Sequence, residues 1–160
     1  MRISSTLIST WFASALLALT CGVCAGQSRT FGGTWSLNVE KSRWGSVAKP
    51  FSVVLIIDHH GPEIHYRGTV TYANEDTREF GFAGAFDGKP YRMTRSFGDG
   101  LITLRKVDES TFDSTFRTDN GLHTETATTS LSRDGRILTR RLSVRSPEGS
   151  KSWTEVYEKR

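Results

Sequence analysis

The sequence predicts an all-β fold, a single up-and-down antiparallel β-barrel of about 8–10 strands. Three observations carry this expectation. After Phe31 apolar and polar residues alternate throughout, the pattern of strands with one buried face. Turn pairs punctuate the alternation: "DGK" at 87–89, "GDG" at 98–100, "NG" at 120–121, "DG" at 134–135 and "PEG" at 147–149. Such pairs supply the positive φ that tight hairpins need. No window sustains the period of an amphipathic helix. Rolling the meander into a barrel removes its two exposed edges.

In chain order, the first segment reads as a leader. Arg2 is its only early charge, and "LISTWFASALLALT" follows. That run has the length of a signal h-region, roughly 7 to 15 residues, and falls short of the roughly 20 that span a bilayer. Val23 and Ala25 occupy the small-residue places of a cleavage site. The expectation is a signal peptide over 1–25 and one barrel domain over 26–160, periplasmic or secreted; an uncleaved anchor is the alternative. Cys21 and Cys24 both fall in the leader, in surroundings unlike those of a lipid-anchored cysteine. The mature domain then has no thiol, which excludes thiol catalysis and zinc–thiolate sites. The formal net charge of +4 comes from interspersed acids and bases. No basic block tracks a phosphate backbone, so nucleic acid is not an expected partner.

The segment "NVEKSRWGSVAKP", 38–50, breaks the alternation and has room for a single helical turn. "DHHGPEIH" gathers Asp58, His59, His60, Glu63 and His65 around one turn. His and carboxylates ligate metals, but adjacent His59 and His60 point to opposite sides of an extended chain. The cluster reads as a solvated hairpin tip, and no metal or cofactor is expected. Between Tyr72 and Phe80 the faces match only with an odd-length loop or a bulge.

Downstream, turn chemistry and hydrophobic pattern agree on register. A loop at Asp87-Gly88 pairs Phe82 with Met93 and Phe80 with Arg95. One at Asn120-Gly121 pairs Phe116 with Glu125, Ser114 with Ala127 and Phe112 with Thr129. One at Asp134-Gly135 pairs Leu131 with Leu138 and Thr129 with Arg140. The predicted inner face holds Phe80, Phe82, Phe86, Tyr91, Met93, Ile102, Leu104, Phe112, Phe116, Leu131, Leu138, Leu142 and Val144. In the last hairpin, a Pro147-Glu148 loop sets Arg140 opposite Glu155; a Glu148-Gly149 loop sets Arg140 opposite Tyr157 and diagonal to Glu155. Either spacing lets Arg140 match the Glu155 carboxylate, with Arg95 as a further partner. The alternative is a twisted last strand whose Glu155 reaches solvent at the rim.

The inner face thus carries Arg95, Glu125, Arg140 and Glu155 beside Tyr66, Tyr72, Trp153 and Tyr157. A solid core tolerates few such groups, because each must find a partner. They fit a partly hydrated cavity, apolar with a few polar anchors; a filled barrel with one structural ion pair fits as well. Sequence signatures of acyl-transfer, phosphate-binding and dinucleotide sites are missing. Glu125 and Glu155 are the one carboxylate pair on a shared face, suited to an anchor or to acid–base work.

The two ends carry a resemblance. "FGGTWSL", 31–37, is similar to the first strand of intracellular fatty-acid-binding proteins, and Gly33-Thr34-Trp35 also satisfies the lipocalin G-x-W. "TEVYEKR", 154–160, is similar to the closing strand of fatty-acid-binding proteins. The chain therefore resembles the calycin superfamily, including secreted bacterial proteins described only as lipocalin-like. The resemblance implies that Trp35 plugs one barrel end and that Gly33 allows close backbone approach. Fatty-acid-binding proteins grip a carboxylate with an Arg-x-Tyr on the last strand. Here Tyr157 keeps the Tyr but Glu155 stands in the place of the Arg, so that headgroup site does not carry over; Arg140 or Arg95 takes the task, or Glu155 selects a neutral or cationic ligand. The family's two-helix lid has no room in 38–50, where Trp44 is a small cap or an ordinary packed loop aromatic.

The functional expectation is an exported, monomeric, non-enzymatic binding protein for a small, largely apolar, lipid-like molecule. Its expected ligand-binding residues are Arg95, Arg140, Glu155, Tyr157, Tyr66, Met93 and Phe116, with Gly33 and Trp35 as structural residues. The alternatives are a filled-barrel envelope interaction module and a cavity enzyme.

Overall fold

The structure, a computed structural model, describes residues 30–160. The expected leader and both cysteines lie outside the described residues. Ten strands follow one another: β1 Gly33–Leu37, β2 Ser52–His60, β3 Glu63–Thr71, β4 Thr77–Ala85, β5 Asp87–Thr94, β6 Gly100–Asp108, β7 Thr111–Thr118, β8 Thr124–Leu131, β9 Ile137–Ser146 and β10 Gly149–Lys159. Each pairs antiparallel with the next, and β1 closes on β10, giving an up-and-down barrel. Among the described residues no helix is long and apolar enough to cross a membrane.

The turn dipeptides set the ladders as the sequence predicts. Phe116 faces Glu125, Ser114 faces Ala127 and Phe112 faces Thr129. Leu131 faces Leu138 and Thr129 faces Arg140. Gly121 and Gly135 hold φ of 69° and 70°, as such turns require. The last hairpin turns at Pro147-Glu148, since Ser146 pairs with Gly149, and Arg140 therefore lies directly opposite Glu155. Between β3 and β4 the loop is odd in length: Thr71 pairs with Thr77 across Tyr72–Asp76. Glu75 sits there at φ 64°.

Two expectations need correction. Segment 38–51 forms turns and no helix. Its backbone is tied to β10 through Asn38 N–H to Val156 O at 2.8 Å and the Arg43–Thr154 bridge, and beyond them it makes one tight turn, Val47 N–H to Trp44 O at 2.9 Å, that does not continue. The β4–β5 ladder gives Phe82–Met93 but continues only to Gly81–Thr94. Beyond Phe82, β4 remains paired on its other edge to β3, with Ala85 opposite Glu63 and Phe86 N–H bonded to Pro62 O at 2.9 Å. Pro90 also brings no N–H to the β5 edge. Phe80 and Arg95 are not a ladder pair, because β5 ends at Thr94 and Arg95 opens the next turn, its carbonyl accepting from Gly98 N–H at 3.2 Å; they meet through the guanidinium, 4.8 Å from the ring centroid.

The interior has two tiers. At the end holding the β2–β3, β4–β5, β6–β7 and β8–β9 turns, aromatic rings fill the lumen. Phe31 meets Phe112 edge-on at 4.9 Å, Phe86 meets Phe112 at 5.1 Å, and His59 meets Phe86 at 5.4 Å. Trp35 is fully buried and donates Nε1–H to Phe31 O at 2.9 Å. Lys159 Nζ lies 5.2 Å from its ring. Gly33 holds φ 134°, where an L side chain is strained, and the atom nearest to a Cβ there would be Lys159 Cε at 2.6 Å. Trp35 is the plug implied by the first-strand motif; the neighbour of Gly33 is the flexible Lys159 side chain and not a backbone segment. The opposite end is ringed by 38–51 and by the loops after β3, β5, β7 and β9. There the lumen opens.

Candidate functional site

The site is built where four strands aim charged side chains into the barrel. Alternation points Glu125 of β8, Arg140 of β9 and Glu155 of β10 inward, and Arg95 extends from the end of β5. Glu125, Arg140 and Glu155 are buried, so each charge needs a partner.

Glu155 accepts three hydrogen bonds. Arg140 Nη1–H donates to Oε2 at 3.1 Å, Tyr157 O–H donates to the same oxygen at 2.8 Å, and Trp153 Nε1–H donates to Oε1 at 2.8 Å. Arg95 Nη2 donates to Glu125 Oε1, and Arg140 Nη2 lies 3.9 Å from that same oxygen. Arg140 therefore bridges the two carboxylates. The expectation of Arg95 as a further partner of Glu155 is corrected, because Arg95 bonds Glu125 across the lumen. Its guanidinium lies 4.8 Å, 5.5 Å and 5.6 Å from the rings of Phe80, Phe97 and Phe116, a geometry that favours a partly desolvated cation. The rim placement of Glu155 does not occur, since the residue is only 9% exposed.

The environment shifts several groups. Burial disfavours the Arg140 charge, but the Tyr66 oxygen, Glu155, the Tyr157 oxygen and Glu125 reverse that effect and hold its pKa above the usual guanidinium value. Burial, with the Glu155 charge beside it, raises the Tyr157 phenol well above its ordinary range. Burial likewise pushes Tyr66 up to about 12. Both phenols keep their protons at neutral pH; Tyr157 donates to Glu155, whereas the Tyr66 hydroxyl has no partner.

Above this charged layer lies a chamber of about 540 Å³. Its walls include Val53, Val70, Phe80, Phe97 and Val144, with Trp44 and Pro50 from segment 38–51 at the mouth. Arg95, Glu125, Trp153 and Glu155 border it from below and beside. Of two further hollows, the one of about 680 Å³ is lined mainly by polar side chains such as Thr126, Thr128 and Arg141. The one of about 720 Å³ mixes Asp58 and Arg67 with Tyr66, Phe80 and Phe82 and has no buried charge in its lining. The smaller chamber is the better site, because only it joins inward apolar walls to buried charges. The filled-barrel reading thus describes the plugged half, and the cavity reading describes the open half.

The expected ligand residues separate accordingly. Arg95 and Glu155 border the chamber. Arg140, Tyr157 and Tyr66 lie in the layer beneath and hold it in place, with the Arg140 guanidinium 5.7 Å from the Tyr66 ring. Met93 and Phe116 belong to the packed core. Trp44 borders the chamber, half-buried, and donates Nε1–H to Val39 O at 3.4 Å. Phe97 and His123 border it too, with ring centroids 5.6 Å apart. Sequence reasoning did not assign them a role in the site, because loop residues carry no period. His59, at the plugged end, is engaged by Thr30, Phe31 and Gly61, and His60 pairs with Asp58 at 2.7 Å.

The fold is a closed ten-strand up-and-down barrel, plugged at one end and open at the other. The structure of zebrafish ileal bile acid-binding protein complexed with cholic acid is similar, with a TM-score of 0.55. The match covers 81% of this chain and 98% of that chain at 16% identity, a likeness of fold. No protein-family model matches the sequence, and no curated protein does.

Proposed function

We propose that this protein is an exported binding protein that holds a small, largely apolar molecule in the chamber at the open end of its barrel. The chamber itself carries this reading: about 540 Å³ of inward-facing space with apolar walls and a polar floor. Burying on the order of 200 Å² of apolar ligand surface yields about 5 kcal/mol before the cost of association. The structural likeness to a bile acid-binding protein supports a lipid-like occupant. Binding is favoured over turnover because the lone pairs of Glu155 are engaged by three fixed donors. That arrangement anchors a charge; it does not shuttle a proton.

The test uses Nile red, a neutral probe that brightens in apolar surroundings. The mature protein is expected to bind it and to release it to lipid-like competitors. Val70→Trp, which fills the chamber, is expected to abolish binding while leaving the melting transition cooperative. No binding of Nile red or of any lipid-like competitor would overturn the proposal.

A further inference from the structure

We propose that the chamber selects ligands whose polar end is a neutral hydrogen-bond acceptor, such as an ester, ketone or amide carbonyl, and discriminates against both carboxylates and amines. This inference rests on the binding reading above and names the class of ligand for the same site.

The first ground is charge balance. Two guanidiniums, Arg95 and Arg140, face two carboxylates, Glu125 and Glu155, and the ion pairs among them close within the layer. The layer is neutral as a whole. A ligand carboxylate seated on this floor would add a negative charge beside Glu125 and Glu155, whose cationic partners are already engaged; the other cations along the chamber, Arg78 and Lys151, are exposed at its mouth, where Arg78 pairs with Asp76 and Glu148 balances Lys151 in charge. A ligand amine would bring a positive charge against Arg95 and Arg140. A neutral head disturbs neither pair.

The second ground is the donors left over. Among the described residues, three buried polar side-chain atoms have no hydrogen-bond partner: Tyr66 Oη, Arg95 Nε and His123 Nδ1. Two of the three belong to residues that border the chamber, and Tyr66 lies in the charged layer. Arg95 Nε is a donor in every state, and Tyr66 keeps its proton. His123 Nδ1 donates in one tautomer. A buried donor without an acceptor is costly; neighbouring side chains seal these atoms from the chamber, and an acceptor that displaces those side chains on entry removes the cost. The site is therefore short of acceptors and balanced in charge, which is the complement of a carbonyl or ether oxygen.

The last strand fits the same logic. An arginine in the place of Glu155 would leave a surplus cation for a ligand carboxylate. Glu155 instead consumes Arg140 internally.

The test compares chain-matched competitors for bound Nile red at pH 8: methyl dodecanoate, 2-tridecanone, dodecanoic acid and dodecylamine. The ester and the ketone are expected to displace the dye at concentrations at least tenfold below those of the acid and the amine. Glu125→Gln gives the layer one net positive charge and is expected to improve the acid at least tenfold relative to the ester. Arg95→Met gives one net negative charge and is expected to improve the amine instead; circular dichroism checks that each variant is folded. Should neither variant fold, the wild-type ranking decides alone. A wild-type preference for the acid or the amine, equal displacement by all four, or a ranking unmoved in folded variants overturns the inference while leaving the binding proposal standing. Failure of Nile red and all four competitors to bind removes both.

Discussion

Replacing Arg140 with Leu leaves Glu155 buried with two neutral donors and no cation. It also strips Glu125 of its second guanidinium, 3.9 Å away. Breaking a buried pair by removing one partner costs about 3–5 kcal/mol, because the surviving charge stays desolvated. Glu155→Leu leaves Arg140 held by Glu125 alone and falls in the same range. The double change removes both charges and retains the Arg95–Glu125 pair. It orphans the Tyr157 hydroxyl, at about 1–3 kcal/mol, and frees the half-buried Trp153 N–H to seek water. Independent sites would lose about 6–10 kcal/mol together, enough to unfold a domain of ordinary stability. The double variant is instead expected to be no less stable than Arg140→Leu alone. Urea titration followed by tryptophan fluorescence reads this, with the single changes lowering the midpoint by about 2 M at unchanged slope. A double variant whose loss equals the sum of the singles within about 0.5 kcal/mol would refute the coupling.

Three further outcomes follow from the packing. Trp35→Ala opens the plugged end and is expected to cost about 3–5 kcal/mol in the same titration. Gly100→Ala sets a Cβ 2.1 Å from the Arg117 carbonyl oxygen; the β6–β7 ladder must part, lowering stability by about 1–3 kcal/mol or more. His59 Nδ1 accepts from Phe31 N–H while Nε2–H donates to Gly61 O, and burial holds its pKa below the ordinary 6.5. The unfolded chain binds that proton more readily, so stability due to His59 is complete above about pH 6.5 and is lost as the pH falls below it. Melting temperatures from pH 5 to 8 are expected to show this slope, and His59→Gln is expected to flatten it.

How far the sequence reveals the site depends on which contacts are local. Arg140 and Glu155 are legible because one short loop joins their strands, so choosing the loop chooses the partner. The β7–β8 and β8–β9 registers are legible for the same reason. Arg95 and Glu125 are not, because they sit on β-elements that are not neighbours in the sheet and meet only across the lumen. No pleat rule connects them, and barrel closure alone decides the contact. Phe97 and His123 come from loops whose side-chain directions follow no period; Trp44, offered by the sequence as a cap or a packed loop aromatic, borders the chamber. The division into plugged and hollow halves was equally hidden. It depends on Phe31, Phe86 and Phe112 reaching one another from three separate strands or termini, and on valines facing inward near the mouth. The short β4–β5 ladder escaped a turn-based reading because Arg95 leaves β5 to open the next turn, which Asp87-Gly88 does not encode.

The claim on which the rest depends is that the open half of the barrel is empty and takes its ligand there. A crystal structure of the mature protein soaked with Nile red tests it most directly. Density is expected between Phe80, Phe97 and Trp44, above an intact Arg95–Glu125 pair. A dye seated on the outer wall, or a mouth filled by its own side chains with no dye inside, would contradict it.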